Sequence, residues 1–427
     1  MNSTINRTNA PAFKQVDNIS FLDVQQSTLG NNTKIYSVNG GSQDLVKIDF
    51  IFDAGSYYQP KSLISSFTSS LIKEGSKNYT AKQIAEGIDN YGAFLQTEHN
   101  YDTAVVTLYT LNKHLEKVLP IVSDIILHPT FNENEFNIYK NNASEKFKTS
   151  SEKVSFLARQ EFAKILFGEN NNYGKVATSD SYNQLSKNDL IDFHNNHYSL
   201  QDCTIILSGK TTDKHHQLLN QYFGGVKSKT TTDVTFQPIA ETKRTETLLF
   251  KENALQSAIR IGKIVPNQTH EDFSGLKILN TILGGYFGSR LMNNIREDKG
   301  YTYGINSGII SLQNTGYFYI GTEVGTEVTS DALKEIYKEI DILQNQLVSE
   351  NELELVKNYM LGKILKSCDG PFNMASLLED VLAYNQNFDY YNNFIERVKS
   401  INATEVRDLA QQYLGKESLI EIVAGKK

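Results

Sequence analysis

Apolar and polar residues alternate through Leu45-Val46-Lys47-Ile48-Asp49-Phe50-Ile51-Phe52, with Val46, Ile48, Phe50 and Phe52 two residues apart. That is the period of a strand with one buried face, and Gly55-Ser56 closes it. Order is expected to begin here, after an irregular arm over residues 1–20 that contains Pro11 and shows no periodicity. Thr80-Ala81-Lys82-Gln83 then reads as a capping box, with Ile84, Ile88 and Tyr91 following at helical spacing and Gly92 placed to stop the helix. Strands are predicted over 94–99 and 103–111, an amphipathic helix over 112–127, and a break at His128-Pro129. A long helix follows, opened by Asn132 and Glu135.

The second half repeats this order. Residues 316–324 read as a strand and 331–347 as an amphipathic helix; Ser349 to Glu352 reads as a capping box, and a long helix runs over 353–367. The two capping pairs lie 217 residues apart (132 to 349, 135 to 352), and FNENEFNIYKNNASEKF aligns with VSENELELVKNYMLGKI. The chain is therefore a duplication of a whole domain. The predicted organisation is an arm (1–20), a first domain (21–224), a polar linker (225–245) and a second domain (246–427). Strand groups alternate with long helices in blocks, so each copy is expected to be α+β, with helices covering one face of an antiparallel sheet.

Composition narrows the function classes. The 427 residues are 39% hydrophobic and 21% charged, with a formal net charge of −7. Acidic and basic residues are interspersed, which argues against a nucleic-acid or anionic-membrane surface. Cys203 and Cys368 supply neither a disulfide framework nor a cysteine metal site, and they suit a reducing compartment. The beginning of the sequence is polar with no apolar core of a signal peptide, and no window reaches the length of a membrane span. A cytoplasmic location is expected. Triplets such as Asn78-Tyr79-Thr80 are chance matches to a glycosylation site.

Familiar sites are missing. There is no phosphate loop and no Gly-x-Ser-x-Gly elbow. Gly284, Gly285 and Gly288 do not follow a strand in a βαβ unit, so they are no dinucleotide fingerprint. Among eight histidines, His194 and His197 share a helix face but lack a third ligand. His215 and His216 diverge on a helix, and His99 and His114 read as surface or strand-end residues.

The informative segment is GGYFGSRLMNNIREDKGYTYGINSGI, residues 284–309. It predicts a helix with Leu291 and Ile295 as its apolar stripe, flanked by Arg290, Arg296 and Glu297. The helix stops at Gly300 and gives way to a strand carrying Tyr301, Tyr303 and Ile305. Arg296 and Tyr303 then converge as a guanidinium fork and a phenol donor, both suited to peptide carbonyls. The plainer alternative is an arginine satisfying helix-end carbonyls and a tyrosine packing in a sheet.

This segment resembles a signature of the pitrilysin, insulysin and mitochondrial processing peptidase superfamily. The family's Ser-Arg-Leu helix followed by Arg-Glu-x-x-Gly-Leu-x-Tyr stands here as Ser289-Arg290-Leu291 and Arg296 to Tyr303, with Tyr301 in place of Leu. Ala54 to Pro60, Tyr91-Gly92-Ala93, His128 to Phe131 and Tyr222-Phe223-Gly224 resemble family segments of the first domain. The resemblance runs from about residue 25 to the C-terminus and implies half of a peptidase clamshell.

The resemblance also implies a zinc motif, His-x-x-Glu-His, which counting back from Gly75-Ser76 falls on Ser66-Phe67-Thr68-Ser69-Ser70. All three working positions, Ser66, Ser69 and Ser70, are serine, and the fourth ligand falls near Lys146, beside Glu145. Serine is a poor zinc ligand at neutral pH and nothing here activates it as a nucleophile. No catalytic residue and no metal of the chain's own is expected. By the resemblance, the chain is the non-catalytic subunit of a heterodimeric zinc endopeptidase acting on unfolded peptides. Zinc sits in a paralogous partner with an intact His-x-x-Glu-His, and Arg296 and Tyr303 act there in trans. The alternative is an inactive homodimeric peptide-binding or scaffold protein.

Overall fold

A computed structural model describes residues 19–227 and 235–427. Most of the expected arm (1–18) and part of the expected linker (228–234) lie outside the described residues. The first half contributes strands β1 (Val24–Thr28), β2 (Lys34–Asn39), β3 (Leu45–Phe52), β4 (Phe94–His99), β5 (Ala104–Leu111) and β6 (Thr204–Gly209). Its helices are α1 (Ile64–Leu71), α2 (Ala81–Asp89), α3 (Leu115–Leu127), α4 (Glu133–Ser151), α5 (Val154–Phe167), α6 (Ser179–Gln184), α7 (Lys187–His197) and α8 (Asp213–Phe223). The second half contributes β7 (Thr245–Phe250), β8 (Gln256–Val265), β9 (Thr302–Leu312), β10 (Thr315–Gly325) and β11 (Ile420–Gly425). Its helices are α9 (Phe273–Gly284), α10 (Thr329–Asn345), α11 (Glu350–Ser367), α12 (Gly370–Leu382), α13 (Asp389–Ser400) and α14 (Ala403–Tyr413). Among the described residues no helix is long and apolar enough to cross a membrane.

The duplication is visible in the sheets. The first sheet runs β1-β2-β6-β3-β5-β4 and the second β7-β11-β8-β10-β9, the same order once β1 is set aside as an extra edge strand. Each is antiparallel but for one parallel pair, β2 with β6 and β7 with β11. The two α+β units predicted from the sequence are present, with two corrections. Order begins before residue 45, because β1 and β2 precede β3. The sheets are mixed, because the last strand of each half returns beside β2 or β7 and in the same direction, which a long crossover permits.

The capping chemistry follows the sequence. Thr80 and Gln83 form the reciprocal box of α2, Gly92 takes a left-handed φ of 58° just beyond that helix, and Asn132 caps α4. At α11 the box is only half made. Ser349 accepts from the backbone of Glu352, but the Glu352 carboxylate turns elsewhere.

The helices of each copy cover one face of its sheet, as expected, and the other face is covered as well. Val46, Ile48, Phe50 and Phe52 join a core with α1, α3, α7 and α8, whereas the opposite face of β2 and β6 packs against α12 of the other half. Val38 and Ile206 there meet Met374, Ala375, Leu378 and Val381. Reciprocally, α5 of the first half lies on β8 and β11, where Ala158, Phe162 and Leu166 meet Ala258, Ile420 and Ile422. α5 and α12 occupy equivalent places in the two copies, each the helix after the long one that the capping pair opens. Each half thus closes the other's sheet. The fit is close: a Cβ on Gly262 of β8 would come within 2.7 Å of the Phe162 ring and 2.1 Å of the Phe318 carbonyl oxygen. At the start of the described chain, Phe21 stacks on Phe388 at 4.9 Å, tying it to the second half.

Burying both faces forces charged residues inside. Lys47 and Asp49 pair at 2.8 Å, and the Asp49 carboxylate also accepts from Thr107. Glu379 of α12 faces them. Burial, with the Asp49 charge adding to it, pushes the Glu379 carboxyl up to about 7.

Two outcomes follow. Phe162→Ala removes a ring held between the halves and lowers unfolding free energy by about 3–5 kcal/mol in urea titration. Glu379 keeps its proton in the folded state up to about 7 and releases it near 4.5 when unfolded. Its contribution is fully present below 4.5 and is lost as pH rises through 7. Urea midpoints at pH 5 and pH 8 are therefore expected to show Glu379→Gln gaining stability relative to the parent at the higher pH.

Candidate functional site

Residues 66–70 lie on α1, a helix of eight residues entered through Leu63 at a left-handed φ of 79°. The Gln59 side chain accepts from the Ser65 backbone at its first turn. Ser66 and Ser70, four residues apart, share a half-buried face, whereas Ser69 points into the core. Their hydroxyls are engaged in ordinary ways: Ser66 donates to the Leu63 carbonyl at 2.8 Å, and Ser70 accepts from the Tyr139 hydroxyl of α4 at 2.8 Å. Phe67 is buried against Phe136, Tyr139 and Tyr182. Lys146 stands two turns along from Tyr139 on the same side of α4 and is exposed; Glu145 beside it pairs with Lys148. This donor set does not fit zinc. Among the described residues no cluster of three or more His, Cys, Asp or Glu side chains is placed to hold a metal ion.

Five of the histidines have structural partners. His194 bonds the Ile126 carbonyl at 2.8 Å and stacks on Tyr198, while His197 packs on Phe193 and burial holds its pKa below the ordinary value. His215 accepts from the Thr212 backbone as part of a helix cap, and His216 turns away to Ser37. His99 is exposed at the end of β4, and His114 packs on Tyr91.

The segment after α9 is more organised. Arg290 clamps Glu352 with two bonds of 2.8 Å, tying the segment to the first turn of α11 and taking the carboxylate that a full capping box would use. Leu291 and Ile295 are buried, and Met292–Asp298 winds as a π-helix, a wide turn that ends at Gly300 with φ of 66°. β9 then begins, an edge strand of the sheet. Between Thr302 and Ile305 it carries one residue more than β10 opposite, so Tyr303 and Gly304 bulge out. A bulge re-aims a side chain, and Tyr303 is 95% exposed.

The Arg296 guanidinium centre lies 5.6 Å from the Tyr303 ring centroid and 4.7 Å from that of Phe287, itself exposed. Glu297 is a loose ion partner at 3.5 Å. The structure thus brings Arg296 and Tyr303 together, as a cation held over two exposed rings with the phenol free beside it. Such a patch can donate hydrogen bonds to an extended backbone and shelter an oxyanion. Phe287 and the bulge escaped the sequence reading; Gly304 inside a strand was the available signal for the bulge.

The family description "Insulinase (Peptidase family M16)" matches residues 34–175, and "Peptidase M16 inactive domain" matches residues 184–360. An "Uncharacterized zinc protease YmxG" of Bacillus subtilis is 23% identical over 94% of this chain and 98% of its own length. A "Non-peptidase homolog YmxG" of Helicobacter pylori is 24% identical over 68% of each chain. In three dimensions the chain superposes on a peptidase M16 inactive domain from Pseudomonas fluorescens with a TM-score of 0.88 and 22% identity, covering 95% of this chain and 99% of that one. The relatives' names point both ways on catalysis, so the residues at positions 66, 69 and 70 carry the argument.

Arg290→Ala leaves Glu352 unpaired and is expected to lower stability by about 1–3 kcal/mol. Tyr303→Ala, at an exposed bulge, should stay within about 0.5 kcal/mol of the parent in the same urea titration.

Proposed function

Because the chain belongs to peptidase family M16, we propose that it is the non-catalytic, substrate-holding half of a two-chain zinc endopeptidase acting on unfolded peptides. The observation that carries this reading is a pair of states in one chain. Serines occupied in local hydrogen bonds stand where a zinc motif is expected, while Arg296, half-buried, holds its guanidinium over the ring of the exposed Tyr303.

In this proposal Ser66, Ser69 and Ser70 do no chemistry, and the chain alone does not cleave peptides. Its partner is a paralogous chain with an intact His-x-x-Glu-His, which holds the zinc. Arg296 grips a peptide carbonyl through its guanidinium fork, and the Tyr303 hydroxyl donates to the oxygen on which charge develops. Both interactions strengthen as that charge grows, which is the condition for raising turnover. Assembly in the cytoplasm is part of the proposal, supported by two unpaired cysteines, Cys203 buried and Cys368 half-buried.

In the assembled pair, Arg296→Ala and Tyr303→Phe should each lower kcat for a fluorogenic peptide by about 10² to 10³, as removal of one oxyanion donor does. Melting temperatures of the variants should match the parent. Wild-type turnover in both variants would remove the pair from the chemistry and favour a homodimeric peptide-binding or scaffold role.

A further inference from the structure

Tyr303 belongs to a second feature. Beside it, the seam between α5 and the second sheet holds a groove of about 570 Å³. Arg159 of α5 and Arg260 of β8 line it, with Tyr303 and Asn306 of β9. The groove exists because of the helix exchange, since α5 belongs to the first half and β8 and β9 to the second.

The two arginines are unusual in this chain. Each of the other arginines among the described residues, Arg244, Arg290, Arg296, Arg397 and Arg407, lies within 4 Å of a carboxylate. Neither Arg159 nor Arg260 has an ion pair among the described residues. Arg159 is exposed and rests over the Phe156 ring at 6.0 Å. Arg260 is half-buried, its guanidinium over Tyr319 at 4.7 Å and Phe162 at 6.0 Å. Burial holds its pKa below the ordinary arginine value, with the like charge of Arg159 acting in the same direction. Glu323 also lines the groove, and its backbone carbonyl accepts from Thr302. Two guanidinium groups that stack on rings and have no carboxylate partner among the described residues suit an anion; their planar fork matches a carboxylate or a phosphate, and an unmodified peptide carries the carboxylate.

We propose that Arg159 and Arg260 form a carboxylate-selecting subsite that takes an acidic group of the peptide held at Arg296 and Tyr303. The group is a Glu or Asp side chain or the C-terminal carboxylate. The subsite rests on the peptide-holding reading above.

Fluorescence polarisation on the purified chain at low salt separates the possibilities. The probes are labelled peptides of one neutral sequence: one amidated at its end, one with a free C-terminal carboxylate, and an amidated set with a single glutamate moved along the chain. At least one carboxylate-bearing probe should bind about tenfold tighter than the amidated neutral one. Whichever probe gains identifies the source. Arg159→Ala and Arg260→Gln should abolish the gain while leaving the neutral probe's Kd unchanged; Arg159 is exposed, so that variant keeps its fold. Equal affinity for all probes, or a gain that survives both substitutions, overturns the subsite and leaves the peptide-holding reading standing. No binding of any probe overturns that reading and the subsite with it.

Discussion

The reciprocal placement of α5 and α12 is the constraint on which the rest of the structure depends. A sheet with helices on one side leaves an apolar face to water, and each half covers that face with a helix lent by the other. The halves therefore share their cores, and neither sheet is closed by its own residues. Phe162 shows how tight the arrangement is, because Gly262 gives way to it at a place where any Cβ would collide with ring and backbone. Ion pairs such as Lys47–Asp49 follow from the same geometry, because strands buried on both faces enclose whatever charge they carry.

The candidate site inherits its position from this frame. β9 is an edge strand of the second sheet, and the segment before it is pinned by Arg290 to Glu352 at the start of α11. The π-turn, Gly300 and the bulge at Tyr303 and Gly304 then turn Tyr303 outward and set the Arg296 guanidinium over its ring. Rigid support on one side and exposure on the other suits the peptide-holding role proposed for this pair. The serines of α1 show the opposite outcome. Tyr139 and the aromatic residues around Phe67 fill the surroundings of those positions, and the hydroxyls serve the local fold.

Much of this was legible in the sequence where local chemistry decides structure. The Thr80–Gln83 box, the stop at Gly92, the β4–β5 pair and the repeat of the long capped helix depend on neighbours in the chain. The duplication followed from them. β1 was missed because Val-Gln-Gln-Ser-Thr has one apolar residue and becomes a strand only by pairing with β2. The helix exchange was missed for a related reason: an amphipathic stripe says that a helix buries a face but not which sheet receives it. At the site, the family resemblance located the zinc-motif positions on α1, where serines do not suit zinc, and singled out Arg296 and Tyr303. Phe287 and the Arg290–Glu352 clamp, set by contacts across many residues, required the fold.

The central claim is that this chain contributes to proteolysis without being able to perform it. The most direct measurement is cleavage of an unfolded peptide by this chain alone, by a paralogous chain carrying His-x-x-Glu-His alone, and by their mixture, each with and without a chelator. The account predicts cleavage by the mixture alone, abolished by the chelator. Chelator-sensitive cleavage by this chain on its own, or a paralogue equally active without it, would contradict the account.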